Sequence, residues 1–194
     1  MTYEQLKQDP TVRVYIAQAD AAMEALGFTE HSFAHVTKVA RQAGDILRMT
    51  GYSERTQELA MIAGYMHDIG NVVNRIDHAQ SGAVMAFRLL DKMGMKAAEI
   101  SGIVTAIGNH DEGTGVPVSA VAAALILADK SDVRRSRVRS KQTETFDIHD
   151  RVNYSVERAD LSIASDRKSV TLAITLNSTY SSVMDYFVIF TERM

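Results

Sequence analysis

Cysteine and tryptophan are both absent from this 194-residue chain. Without cysteine there is no disulfide framework, no thiolate metal ligand and no cysteine nucleophile. Any bound metal must then be held by imidazole nitrogen and by oxygen. That donor set suits manganese, iron or magnesium, or zinc in a histidine-rich site. Long apolar runs are missing as well: none reaches the roughly 20 residues that cross a bilayer. The opening segment, Met1 to Pro10, carries charges where a secretory signal needs its apolar stretch. A cytoplasmic protein without a membrane partner is therefore expected. A basic excess is lacking too, since 21 Lys and Arg face 24 Asp and Glu for a net charge of -3. A nucleic-acid partner, which calls for a basic field, is not expected. Basic residues do gather at Arg134, Arg135, Arg137, Arg139 and Lys141. This segment reads as a solvated or frayed surface stretch, with a phosphate-facing or RNA-facing role as the alternative.

What the chain does have is apolar residue at helical spacing. With 46% hydrophobic residues it can bury a substantial core. Val12, Ile16, Ala19, Met23 and Leu26 form one stripe, closed by Gly27. Ser32 predicts an N-cap for a second helix to about Thr50, with Val36, Val39, Ala43, Ile46 and Leu47 inward and Gly51 as its stop. Ser53 starts a third helix through Leu59, Ile62 and Met66. Further helices are predicted over 79–92, 96–109 and 119–131, the last so apolar that it belongs inside the bundle. The pattern then turns β-like over 157–164 and 169–176, joined by the polar turn Ser165 to Lys168. Val183, Tyr186, Phe187 and Phe190 return to helical period. The expectation is a mainly α protein: a helical bundle over residues 1–140, then a C-terminal β-hairpin and terminal helix over 141–194. A lone hairpin is marginal, so it must lie on the bundle or pair across a subunit boundary.

Five of the six histidines fall in the helical region, as His31, His35, His67, His78 and His110. His67 and Asp68 end an apolar helix, and Asp129 ends another. A carboxylate at the inner end of such a helix costs several kcal/mol unless it is paired or metal-bound. A metal relieves that cost for Asp68 and Asp129 together, with His35, His67, His78 and His110 as neutral nitrogen ligands. A structural metal or a satisfied polar cluster remains the alternative. His31 shares a helical face with His35 and is expected to cap or to face substrate. His149-Asp150 repeats the dipeptide without an apolar helix before it and reads as a decoy at a turn. The loop from Asp111 to Gly115 is placed either to move over a phosphate or simply to connect helices.

The order His35, His67-Asp68, Asp129 resembles the HD-domain metal-dependent phosphohydrolases over roughly residues 30–135. The resemblance implies a helical bundle in which His35, His67, Asp68 and Asp129 bind metal. His78 and His110 look like the extra histidines of its two-metal branches, one acting on diadenosine tetraphosphate and one on cyclic di-GMP. Asn109 to Pro117 is similar to the second branch's His-His-Glu and Gly-Tyr-Pro region. The chain departs from these patterns at Asn71, where lysine is common, and at Asn109 and Val116. By resemblance the cofactor is two divalent metals, iron or manganese first, with magnesium, zinc or nickel as alternatives.

The implied activity is hydrolysis of a phosphate ester or anhydride, a nucleotide or dinucleotide, by metal-bound hydroxide. One metal would take His35, His67 and Asp129, the other His78 and His110, with Asp68 shared as the central catalytic ligand. Lys130, Arg75 and Arg134 are the candidate cations for the leaving oxygen. A di-iron oxygenase, and a non-catalytic nucleotide-sensing or RNA-binding module, are the competing readings. The C-terminal tail is expected to cover the pocket or to form a homodimer contact.

Overall fold

The computed structural model describes residues 1–113 and 115–191. Among them the chain folds as α1 (Tyr3–Gln8), α2 (Pro10–Ala25), α3 (Phe33–Thr50), α4 (Glu54–Met66), α5 (His78–Lys92), α6 (Ala97–Gly108) and α7 (Ala120–Lys130). A short strap of 3₁₀ turns leads to α8 (Ile148–Ser155), strands β1 (Val156–Ile163) and β2 (Val170–Leu176), and α9 (Val183–Phe190). No described helix is long and apolar enough to cross a membrane.

The helix limits follow local chemistry. Ser32, Ser53 and Ser119 cap α3, α4 and α7 by accepting backbone N–H bonds through their side chains. Gly51 ends α3 in the left-handed region, at φ 89. Helix α3 packs between α4 and α7, while α5 lies on α6. Their shared interior holds Val39, Ile46, Ile62, Met66, Ile103, Ile107 and Leu125. Each large aliphatic side chain fully buried there contributes about 1.5–3 kcal/mol.

Two close backbone approaches bring the helix ends together. A Cβ on Gly64 would stand 2.7 Å from Ala40 Cα, so only glycine lets α4 lie this near α3. A Cβ on Gly70 would overlap His78 O and come 2.5 Å from Gly82 N, which seats the 3₁₀ turn Ile69–Val72 against the start of α5.

The hairpin is antiparallel, with Leu161 facing Leu172 and a register irregularity between Val156 and Arg158. Its stability comes from the bundle: Leu161 and Ile163 pack against the main core. A second small core joins Val133, Val152, Val156, Tyr186 and Phe190.

Three local expectations are corrected. The short helix α1, capped by Thr2, precedes the first predicted stripe. His149-Asp150 lies in α8, capped by Asp147, and not at a turn. The basic segment is neither frayed nor a free basic face. Arg134 pairs with Asp132 and Glu30, Arg139 with Asp20, and Arg137 is buried. These contacts tie the strap to α2 and to the loop before α3, so Arg134, Arg137 and Arg139 are committed internally.

Candidate metal centre

The six expected ligands meet where five helix ends converge. His35 lies in the first turn of α3 and His78 opens α5. His67 follows the last residue of α4, His110 comes two residues after α6, and Asp129 is in the last turn of α7. Asp68 precedes the 3₁₀ turn that Gly70 allows. The negative dipole ends of α4, α6 and α7 meet here with the positive ends of α3 and α5, so the balance favours a cation by one helix end.

The ring orientations follow from backbone tethers. His67 Nδ1 donates to Gly64 O at 2.8 Å, His78 Nδ1 to Arg75 O at 3.1 Å and His110 Nδ1 to Ile107 O at 2.6 Å. A carbonyl only accepts, so each Nδ1 carries the proton and each Nε2 is left with a lone pair. Those lone pairs face one another. His35 Nε2 is 3.3 Å from His67 Nε2, and His78 Nε2 is 3.2 Å from His110 Nε2. Asp129 Oδ1 lies 3.3 Å from His35 Nε2 and 3.6 Å from His67 Nε2. Asp68 Oδ2 is buried without a hydrogen bond of proper geometry, although His67 Nε2 stands 3.2 Å away.

Opposed lone pairs and an orphaned carboxylate oxygen in one dry cluster are the pattern that a divalent cation resolves. His35, His67 and Asp129 form one group with ligand-competent spacing, and His67, Asp68 and His110 another. The residues therefore fit metal. His78 reaches the cluster through His110 and through Asp68 Oδ1, which is 3.7 Å away.

Protonation follows the same geometry. Burial disfavours a charged His67, yet Asp68 and Asp129 outweigh it and push its pKa up to about 10. For His110, burial and the neighbouring His67 act together and lower it to about 3. Burial opposes ionisation of Asp68 and Asp129, but His67 with His35 and, for Asp129, Lys130 hold both well below the usual carboxylate range. A second proton on His67, at Nε2, thus competes with a metal for the same lone pair.

The sequence reading missed Asp132. It is fully buried, and its Oδ2 accepts His35 Nδ1 at 2.8 Å. Its Oδ1 accepts from Lys38 Nζ at 2.8 Å and from Arg134 Nε at 2.9 Å. It is the carboxylate that fixes the tautomer of His35, a candidate ligand. Two donors on Oδ1 make a sharp prediction. In Asp132→Asn the amide oxygen must stay with Lys38 and Arg134, so the amide NH₂ turns to His35 Nδ1. That forces the proton onto Nε2 and removes a ligand lone pair. Metal affinity is expected to fall about 10–100-fold, read by competition with a chelator. Unchanged affinity would show that His35 is not a ligand.

The candidate cations occupy different places. Lys130 Nζ is 2.6 Å from Asp129 Oδ2 and 3.2 Å from Glu112 Oε1. Arg75 Nη1 lies 3.2 Å from His78 Nε2 and 3.4 Å from Asn71 Oδ1. Arg134 is held in the ion pairs of Asp132 and Glu30. Asn71 donates to Asp68 Oδ1 at 2.9 Å and so braces that carboxylate. Of the loop from Asp111 to Gly115, Thr114 lies outside the described residues.

A small cavity of about 30 Å³ sits over the cluster, lined by Asp68, His78, His110 and Asp129 among others. It shares His31, Arg75, Glu112 and Arg137 with a larger cavity of about 600 Å³. Phe28 and residues of α8 and α9 wall the larger one, and His149 and Asp150 are among them. The C-terminal region therefore builds the approach to the centre.

Comparison with known proteins agrees with this architecture. The chain is 23% identical over 201 residues to an uncharacterized protein of Methanocaldococcus jannaschii, covering 92% of this chain and 77% of that protein. It is similar in structure to a predicted HD superfamily hydrolase from an uncultured Thermotogales bacterium, solved at 1.45 Å. That match has a TM-score of 0.50 and 26% identity, over 68% of this chain and 73% of the other. The HD domain profile matches residues 32–186, which takes in the hairpin and the first half of α9 as well as the six converging residues. By that match, over most of its length, the chain belongs to the HD domain family.

Proposed function

We propose that this protein is a metal-dependent hydrolase of phosphate esters or anhydrides, with nucleotides or dinucleotides as its substrates. One observation carries the reading. Imidazole lone pairs and two carboxylates converge on one point, and that point opens past Arg75 and Arg137 into a cavity of about 600 Å³. Such a volume lies within the range of small-molecule sites.

We assign His35, His67 and Asp129 to one divalent metal, His78 and His110 to a second, and Asp68 to both. Iron or manganese suits this nitrogen and oxygen set. Bound there, such metals supply a water of lowered pKa and positive charge for phosphoryl oxygens.

The chain's own residues do the rest. Asn71 holds the Asp68 carboxylate in line, and Lys130 holds Asp129. Arg75 places its guanidinium beside His78 and over the Phe28 ring, with the carbon 5.9 Å from the ring centroid. We assign it to the leaving oxygen, where a cation favours bond cleavage. This would give Arg75 the phosphate or leaving-group contact open to the lysine that the two-metal branches commonly carry where this chain has Asn71.

The test is turnover by manganese-loaded or ferrous protein against nucleotides, dinucleotide polyphosphates and simple phosphomonoesters. Metal-dependent release of phosphate that a chelator abolishes is the expected result. No turnover of any phosphate by fully metallated protein would sink the reading. Oxygen uptake by the ferrous form, without hydrolysis in air-free buffer, would replace it with oxygenase chemistry.

A further inference from the structure

Arg137 has an unusual electrostatic situation. It sits on the 3₁₀ turn Arg135–Arg137 and is only 6% exposed. Its Nε donates to Glu30 O at 3.0 Å and its Nη1 to Asp132 O at 3.0 Å. Its Nη2 meets His31 Nε2 at 3.1 Å. All three partners are neutral. His31 donates from Nδ1 to Thr29 O at 2.6 Å, so its Nε2 accepts from the arginine.

The carboxylates nearby are claimed by other groups. Glu30 Oε2 pairs with Arg134, and Asp132 serves His35, Lys38 and Arg134. Arg137 makes no ion pair with a described carboxylate. The Asp132 carboxylate feels its charge but does not touch the guanidinium, and a buried guanidinium with no counter-charge in contact is stabilised by an anion. Three of its five N–H groups are used, which leaves two. It lines both the small cavity over the cluster and the larger one. His31, which it grips, stacks edge-on against His35 with centroids 5.4 Å apart.

We infer that Arg137 is the phosphate-binding residue of the site: its two free N–H groups take oxygens of the phosphoryl group at the neck between the two cavities. The inference rests on the hydrolase reading for the identity of the anion. It also explains the strap. Arg134 and Arg139 anchor it to Glu30 and Asp20, which holds Arg137 over the cluster without binding substrate themselves.

The test uses metal-loaded full-length protein and inorganic phosphate, with binding read by calorimetry. Arg137→Lys keeps the charge but not the fork, and Arg137→Gln removes both. Phosphate affinity is expected to fall about tenfold in the first and up to about 100-fold in the second. Arg135→Gln, on the same turn but exposed and packed over Tyr154, controls for net charge and is expected to bind phosphate like the parent. Equal phosphate affinity in parent and Arg137→Lys would overturn the inference. If both Arg137 variants fail to fold, a phosphate-soaked crystal of the unmutated protein decides. A phosphate oxygen within hydrogen-bond distance of Arg137 supports the inference, and phosphate held only by metal, Arg75 or Lys130 overturns it. Neither readout needs turnover. Phosphate bound through Arg137 in a protein that hydrolyses nothing would sink the hydrolase reading and leave this one standing.

Discussion

Asp68→Asn is expected to strip bound metal from the protein and to lower phosphate turnover by on the order of 10³-fold, about 4 kcal/mol of transition-state stabilisation. The reason is position. Asp68 Oδ2 faces His35 and His67 at 3.4 and 3.2 Å, while Oδ1 faces His78 at 3.7 Å and accepts from Asn71. One carboxylate thus addresses both halves of the cluster. The substitution keeps shape and removes charge. Asn71 must keep its acceptor, so the new amide NH₂ turns toward His35 and His67, where a cation would otherwise sit. Metal content per chain, turnover and urea unfolding measured together separate loss of the centre from loss of the fold. Full metal content with parental turnover would remove Asp68 from the site.

The second large effect concerns stability. Gly70→Ala places a methyl group onto His78 O and 2.5 Å from Gly82 N, and both obstacles are backbone. Nothing flexible can give way, so the 3₁₀ turn and α5 must separate. A loss of about 3 kcal/mol or more is expected, at the upper end of overpacking effects. Because His78 opens the displaced helix, metal affinity should fall with stability. Gly102→Ala makes the contrast. Gly102 lies inside α6 with open space where its Cβ would be. There the change is expected to stabilise by about 0.4–1 kcal/mol through chain entropy and helix propensity. Urea midpoints for the pair check both signs, and a Gly70→Ala protein as stable as its parent would refute the close approach.

How much of this was legible in the sequence depends on how local each signal is. Helices α3, α4, α6 and α7 fall within a residue or so of expectation because serine caps and apolar periodicity act over a single turn. Their ends then fixed where His35, His67 and Asp129 would lie. Helix α1 was not legible, since six residues are too few to display a period. Asp132 could have been suspected, as it stands one turn beyond Asp129. What hid it is that its meaning lies in His35, 97 residues away. The basic run misled for the same reason. Its partners Glu30 and Asp20 are more than 100 residues distant, and charge that pairs at long range looks solvated when read in order. The neutral hydrogen-bond partners of Arg137 cannot be read from composition at all. They depend on which neighbours have already claimed the carboxylates.

The tethers of His67, His78 and His110 carry one last consequence. Each ring donates to the carbonyl three residues before it, Gly64, Arg75 and Ile107 respectively. The aim of each nitrogen is thus written within a four-residue cassette and owes nothing to the helix that follows or faces it. Such cassettes are portable. Evolution can rewrite the bundle around them, provided that the ends still meet, and a designer could transplant them one at a time. His35 is the exception, because its aim is borrowed from Asp132 across the fold, so these two residues can only drift as a pair.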